Sequence, residues 1–410
     1  MRRNPYPVFL AYGFSLSFLM TMIFTASAVY QVTVVGLSPL QLVLVGTLVE
    51  AVVLLFEIPT GIVADVYSRR LSVLISIAMT GVAFLIEGLF PSFEAILLAQ
   101  VVWGIGATFE SGAIDAWVVD EMGEAQSARA FQRGAQLDSV GTFLGVLAGM
   151  ATGAQFGVAT PVWLGGLGLL GVFAVLAVIM PERHFTPVPT AARGTWRTFA
   201  AMLREGAAIV RRRPVLRRLV VAGFVQGAFS EGFDRLWTPL ALTVAAPFGL
   251  QPIVWLGIVR AIAVLAVIPV VGLIQHRVDV GSDRAVSRAL VLATAGVLIG
   301  LVGFAVGQDA VIFGAAYVLA TTLRRAMRPI LQTWTNNQIR GVEARARATV
   351  LSFFGQVDAI GQVAGGPPVG AIGNLSLRAA ILTSAAILAP AMLLYRNASG
   401  ETAPNDATQA

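Results

Sequence analysis

The chain contains neither cysteine nor lysine. Without thiols it has no disulfide framework and no thiolate metal site. Without lysine it has no P-loop, whose Gly-rich turn ends in Lys, so ATP-driven work by this chain is excluded. Histidine is nearly absent as well: His184 and His276 stand alone and far apart. That argues against a histidine metal centre and against the nucleophile–histidine pair of an enzyme. No metal site and no catalytic group is expected. Charge is thin too, with acidic and basic residues making up 12% of 410 residues, against about a quarter in soluble domains.

What is present is apolar. Hydrophobic residues make up 57% of the chain, and the mean hydropathy is +0.79. One bilayer crossing takes about 20 apolar residues, so an excess of this size over the whole length means many crossings. All 28 basic residues are arginine. In a soluble protein the net charge of +6 would suggest nucleic acid; in a membrane protein the placement of the arginines matters more, and no nucleic-acid partner is expected. The start, MRRNPYP, leads into an apolar run to about residue 35 with no small-residue cleavage site, which reads as an uncleaved first span.

Apolar runs separated by charged or Pro/Gly breaks predict twelve spans, near residues 7–35, 40–63, 71–90, 93–119, 131–156, 160–180, 216–246, 252–274, 286–306, 310–337, 348–373 and 377–395. The arginines at both termini and after the even-numbered spans then fall on one side, and the opposite loops hold only Arg378. By the positive-inside rule both termini are cytoplasmic, and a bacterial inner membrane is the expected location. The chain divides into a six-span half (1–180), a linker (181–215), a second half (216–396) and a polar tail (397–410) expected to be disordered. In the linker Trp196, Phe199, Leu203 and Ile209 recur at helical spacing among arginines. This is either an amphipathic helix on the membrane surface or a solvated linker helix.

The two halves echo each other. AYGF at 11–14 returns as VAGF at 221–224, and GLSP at 36–39 as GLQP at 249–252. Ile58-Pro59 returns as Ile268-Pro269, and Asp138 with Gly141 and Gly145 as Asp358 with Gly361 and Gly365. Two parallel six-span repeats are a recurring plan among carriers.

Between spans 2 and 3 stands Gly61-x-x-x-Asp65-x-x-x-Arg69-Arg70. With the linker's RRRPVLRRL and the SGAIDAW-x-x-D of span 4, it resembles the major facilitator superfamily, over about residues 7 to 396. The resemblance implies an all-α membrane protein of twelve transmembrane helices in two pseudo-symmetric six-helix halves, and a loop that helps to hold the cytoplasmic side shut. Read locally, Gly61 admits a close helix, and Asp65 can accept backbone N–H groups at a helix start. Arg69 and Arg70 can pair with Asp120 and Glu121 at the end of span 4. The second half keeps only a decayed copy, Gly272 followed by His276. Many proton-coupled members carry an Arg where Gln100 stands, and antiporters end a Gly-rich span 5 in Gly-Pro, which is missing here. The ladder Gly141, Gly145, Gly149 and Gly153 is either helix packing, with Gly361 and Gly365 as its counterpart, or an exporter hinge.

A helical wheel places polar residues on one face in four spans. These are Gly13, Ser17, Thr21, Thr25 and Gln31 in span 1; Gln100, Gly104, Thr108, Ser111 and Asp115 in span 4; Gly227, Glu231, Asp234, Arg235 and Thr238 in span 7; and Tyr317, Thr321, Arg324, Arg328, Gln332 and Thr335 in span 10. The resemblance implies that these four spans line the central cavity. Glu231, about 20 Å along its helix from Arg218, falls near the midplane, though it could simply pair with Arg235 one turn on. Arg324, Arg325 and Arg328 either bind an anionic group or pair with Asp115. Glu57, Glu110, Asp138 and Asp358 are secondary acids, more often structural or gating.

The leading expectation is a secondary active transporter working by alternating access, with proton-coupled export of amphipathic or drug-like molecules. The partners are then a small-molecule substrate, protons and the bilayer, the proton gradient is the energy source, and the protein is a monomer without cofactor. Glu231 or Asp115, with Asp234 second, would carry the proton. Uptake of a small anionic metabolite is the first alternative. A non-transporting receptor is the other, and it calls for a further soluble domain.

Overall fold

The structure, a computed structural model, describes residues 4–187, 196–339 and 344–398. Apart from Asn397 and Ala398, the expected polar tail lies outside these residues, as do 188–195 of the linker. The first half runs α1 (Pro5–Thr33), α2 (Pro39–Val66), α3 (Arg69–Leu89), α4 (Phe93–Glu110), α5 (Ala113–Met122), α6 (Glu124–Phe156) and α7 (Thr160–Ile179). The linker helix is α8 (Trp196–Arg212). The second half runs α9 (Pro214–Ala241), α10 (Pro252–Arg277), α11 (Asp283–Val306), α12 (Ala310–Gln338), α13 (Ala344–Leu375), α14 (Leu377–Leu388) and α15 (Pro390–Ala398). No strand occurs among the described residues.

The crossings start where the sequence supplies a side-chain acceptor. Asn4, Ser38, Ser68, Ser92, Ser282, Asp309 and Ser376 each accept a backbone N–H of the turn they open. Ser38 and Gln41 form a reciprocal capping box. Among the described residues ten segments are long and apolar enough to cross a bilayer, with α4–α5 and α14–α15 each counting as one. The seventh and eleventh crossings, α9 and α13, are 28 and 32 residues long; Arg, Glu and Asp residues lower the apolarity of α9, and Gln, Gly and Pro residues with Asp358 lower that of α13.

Two expected spans are broken helices. The fourth stops at Glu110 and restarts at Ala113, because Gly112 adopts φ +73°, a left-handed conformation that only glycine takes cheaply. The break resets the helical register, so a wheel drawn continuously from Gln100 to Asp115 misplaces its second part. The twelfth is interrupted at Ala389, ahead of Pro390, which cannot continue the hydrogen-bond ladder.

By backbone contacts the chain forms two compact units. One is Met1–Phe199 with Phe248–Ala261, the other Ala200–Pro247 with Ile262–Ala410. In the first, α1 packs along α6, and α3 is enclosed by α4 and α7. In the second, α9 packs along α13, and α11 lies against α12, α14 and α15. The internal repeat is visible in this packing. A methyl group at Gly141 would stand 2.7 Å from the carbonyl oxygen of Phe14 on α1. One at Gly361 would collide with the carbonyl of Phe224 on α9. Gly145 meets Phe18 in the same way, and Gly365 meets Ala228. Phe14 and Phe224 end the repeated AYGF and VAGF, so the two sequence echoes are one helix seam built twice.

The linker helix spends its small and apolar side on the protein. Gly206 lies against Phe353 of α13, and Val210 clusters with Leu216, Ile339 and Val350. Arg204, Arg211 and Arg212 are exposed.

Candidate functional site

The loop that joins α2 to α3 is tied down by an ion pair and by one borrowed acid. Arg69 pairs with Asp120 of α5, and its guanidinium lies 6.0 Å from the ring of Phe185. Arg70 takes no partner on α5. Its backbone N–H donates to Glu182 Oε1 at 2.8 Å and its guanidinium to the carbonyl of Ala177 at 2.5 Å. Ser68 Oγ donates to the other oxygen of Glu182 at 2.5 Å. Glu182 therefore supplies the anion at the start of α3, the position expected for Asp65, and Asp65 is exposed in the last turn of α2. Glu121 accepts the backbone N–H groups of Arg183 and His184, at 2.5 and 2.9 Å, instead of pairing with Arg70. A Cβ at Gly61 would meet nothing within 4 Å, so the close helix approach expected there is not made among the described residues. Beside this loop a cleft of about 590 Å³ is lined by Arg69, Gly112, Asp115, Ala116, Val119, Asp120 and Phe131. Asp115 is exposed there.

The polar face expected on span 1 is mostly a packing seam. Thr25 Oγ1 donates to the carbonyl of Thr21 at 2.7 Å, and the Cβ atoms of the two threonines fill the space left by Gly145 and Gly149 on α6. Gly13 leaves room for the carboxylate of Asp138. Gln100, Gly104 and Thr108 of α4 are likewise buried inside the unit. Gly141, Gly145 and Gly149 thus give α1 its close approach to α6. Glu110 faces α1, where Tyr12 Oη donates to its carboxylate. Glu57 is half-buried on α2, just before Pro59.

The second unit gathers the charges of α9 and α12. Arg324 donates through both terminal nitrogens to both oxygens of Asp234, at 2.6 and 2.7 Å. Its guanidinium stacks over Phe229 at 5.2 Å. The fork-on-carboxylate geometry is directional as well as strong. The side chains of Arg324 and Asp234 keep 31% and 48% of their surface exposed, so the pair is only partly covered by its own unit. One turn away on α9, buried Glu231 accepts from Arg235 Nε at 2.8 Å, the local pairing that helical spacing allows. Arg325, the next residue of α12, and Arg328, one turn on, are exposed. Asp358 of α13 accepts from Gln362 at 3.0 Å.

Sequence reading passed over three residues. Arg260, in the middle of α10, donates to the carbonyl of Phe24 at 2.5 Å within the first unit. Glu87 of α3 is fully buried among amide and hydroxyl donors. Glu182 is the helix-start anion described above. A lone charge inside an apolar run marked the first two, but neither lies on the four helices chosen for their polar faces.

A family model described as Major Facilitator Superfamily matches residues 8–365. A Bacillus subtilis (strain 168) protein described as an uncharacterized MFS-type transporter, YxaM, is 22% identical over 205 residues, 49% of this chain. That match spans half the length of the relative. Among solved structures, the nucleoside transporter NupG superposes with a TM-score of 0.76 at 13% identity, over 97% of this chain and 100% of its own. A bacterial homolog of the human lysosomal transporter Spinster gives 0.72 at 17% identity, over 97% and 98%. At these identities the superpositions speak for the fold alone.

Proposed function

We propose a function from one premise: the chain belongs to the major facilitator superfamily, a family of membrane transporters. It is a multi-pass membrane protein that moves small molecules. Within that frame we infer a proton-coupled secondary carrier, working by alternating access, that expels amphipathic, drug-like molecules. It sits as a monomer in a bacterial inner membrane with both termini cytoplasmic. The proton gradient is its only energy source, and it performs no covalent chemistry.

The observation that carries this reading is the part-exposed pair Asp234–Arg324. Both oxygens of the acid are spent on the guanidinium, so Asp234 is released either by a proton or by a cationic group that replaces Arg324. Proton and cation then compete for one carboxylate, and competition at a single site is what makes exchange obligatory. Exchange against an inward proton gradient is export. Packing explains the glycine ladder of α6, which lends the direction no support. The face offers few amides or hydroxyls besides these charges, which suits an amphipathic substrate better than a sugar.

A second reading is favoured by Arg328, exposed one turn from Arg324: uptake of a small anion. The full chain in liposomes with an imposed pH gradient decides between them. The panel is lipophilic cations, organic anions, a nucleoside and a dipeptide, the last two because proteins of this fold carry such names. Gradient-driven cation movement that Asp234→Asn abolishes supports exchange. Movement of anions only, or movement indifferent to the gradient, overturns it.

A further inference from the structure

Between α1, α3 and α4, inside the first unit, lies a polar cluster that the exposed acid–base face does not use. Glu87, on the last turns of α3, is fully buried. Its Oε1 accepts from Ser27 Oγ at 2.5 Å and Gln31 Nε2 at 2.9 Å, and its Oε2 accepts from Gln100 Nε2 at 3.0 Å. Its backbone carbonyl accepts from Tyr30 Oη at 2.8 Å. Ser27, Gln31 and Gln100 are 5%, 3% and 3% exposed. The cluster is sealed: next to it, a Cβ at Gly88 would stand 2.7 Å from the backbone nitrogen of Trp163 on α7.

An acid at membrane depth costs about 2.5–3.5 kcal/mol on insertion scales and is retained where it works. Packing alone does not call for one here. The second observation concerns Gln100, whose buried Oε1 has no hydrogen-bond partner. An amide beside a carboxyl has two useful orientations. With Nε2 toward Glu87 it donates to a carboxylate, and turned over it accepts an O–H from a carboxylic acid. The unpartnered oxygen is the acceptor that a protonated Glu87 needs.

We propose that Glu87 is a proton-binding site of the first unit, with the Gln100 amide as the partner that turns over when the proton binds. Deprotonated, Glu87 collects three donors from α1 and α4 and holds these helices to α3. Protonated, it gives one O–H to Gln100 Oε1 and loses part of the grip on Ser27 and Gln31, which loosens α1. The other ionisable groups near it are few. Tyr30 comes from α1, and α7 has none. From α2, Glu50 neighbours Val49, which lies against Gly104, one turn of α4 beyond Gln100. Arg260 of α10 reaches α1 at Phe24, one turn before Ser27. The site stands apart from Asp234 and does not depend on the exchange proposed there.

Infrared pH-difference spectra of the full chain, between about pH 4 and about pH 9 where buried carboxyls titrate, test it without substrate. Wild type is expected to show a reversible carboxylic-acid carbonyl band that Glu87→Gln loses and Asp234→Asn keeps. Gln100→Leu, which leaves Glu87 in place, strengthens that band at neutral pH because the carboxylate has lost a donor. An identical spectrum in Glu87→Gln, or no response to Gln100→Leu, overturns the proposal. So does a wild-type band that sodium chloride suppresses and choline chloride does not, which assigns the site to a metal cation.

Discussion

Arg324 of α12 spends both terminal nitrogens on both oxygens of Asp234, 90 residues earlier on α9. The pair is part-exposed, and the proposed exchange gives it a use other than stability. Half-exposed ion pairs contribute about 0–1 kcal/mol. Asp234→Asn is therefore expected to lower gradient-driven transport by about tenfold or more, a loss of about 1.4 kcal/mol in the rate-limiting step, with little change in the thermal unfolding midpoint. Arg324→Lys should fail as badly, since an ammonium cannot form the fork. A large drop in the unfolding midpoint with transport intact would make the pair structural.

Arg69 and Asp120 are expected to act as one unit. Their side chains are 16% and 22% exposed, more sheltered than those of Asp234 and Arg324. Arg69→Ala and Asp120→Ala should each lower transport, and the double variant should be no worse than either single. A double-mutant cycle on unfolding checks this, with a coupling of about 0.5–3 kcal/mol expected. Additive losses would show that the two side chains do not act together.

The doubled helix seam predicts a matched pattern of glycine substitutions. Gly141→Ala and Gly361→Ala each push a methyl into a neighbouring carbonyl and should cost about 1–3 kcal/mol by overpacking. Gly355→Ala, where nothing lies within 4 Å, should be neutral or stabilising by about 0.5–1 kcal/mol. Thermal unfolding of the three purified variants reads the difference. Equal midpoints for all three would mean that the seams yield without cost.

Arg260 is anchored through one charge-assisted hydrogen bond to Phe24. Such bonds contribute about 1.5–3 kcal/mol, so Arg260→Met should lower the unfolding midpoint, while Arg260→Lys, which keeps the charge and can reach the carbonyl, should recover part of it. An unchanged midpoint in Arg260→Met would show that the bond contributes nothing to stability.

Much of the architecture was legible because it is written in long-period signals. Apolar runs gave the crossings, and the echo of AYGF in VAGF lies on the seam that Gly141 and Gly361 complete. Arg69 and Arg70 were read against Asp120 and Glu121 as a group because these acids sit at a helix end on the same side, and of the four the structure pairs Arg69 with Asp120. The site was less legible, for physical reasons. A helical wheel assumes an unbroken helix, and Gly112 breaks the fourth span. Small polar residues such as Thr21 and Thr25 serve close packing as readily as they face water, and a wheel cannot tell the two apart. Asp234–Arg324 joins residues of two helices, and spacing within one helix says nothing about such pairs. Glu182 was hidden in a linker read for its arginines and for the spacing of its apolar residues.

Proton release on substrate binding tests the central claim most directly. The purified full chain, in weak buffer with a pH indicator at mildly acidic pH, is mixed with a lipophilic cation that it transports. If the cation and the proton compete for Asp234, the molecules in which a proton has already displaced Arg324 release it as the cation binds, the release grows as the pH is lowered, and Asp234→Asn releases none. Proton release that Asp234→Asn leaves unchanged, or saturable cation binding with no release in wild type, would contradict the account.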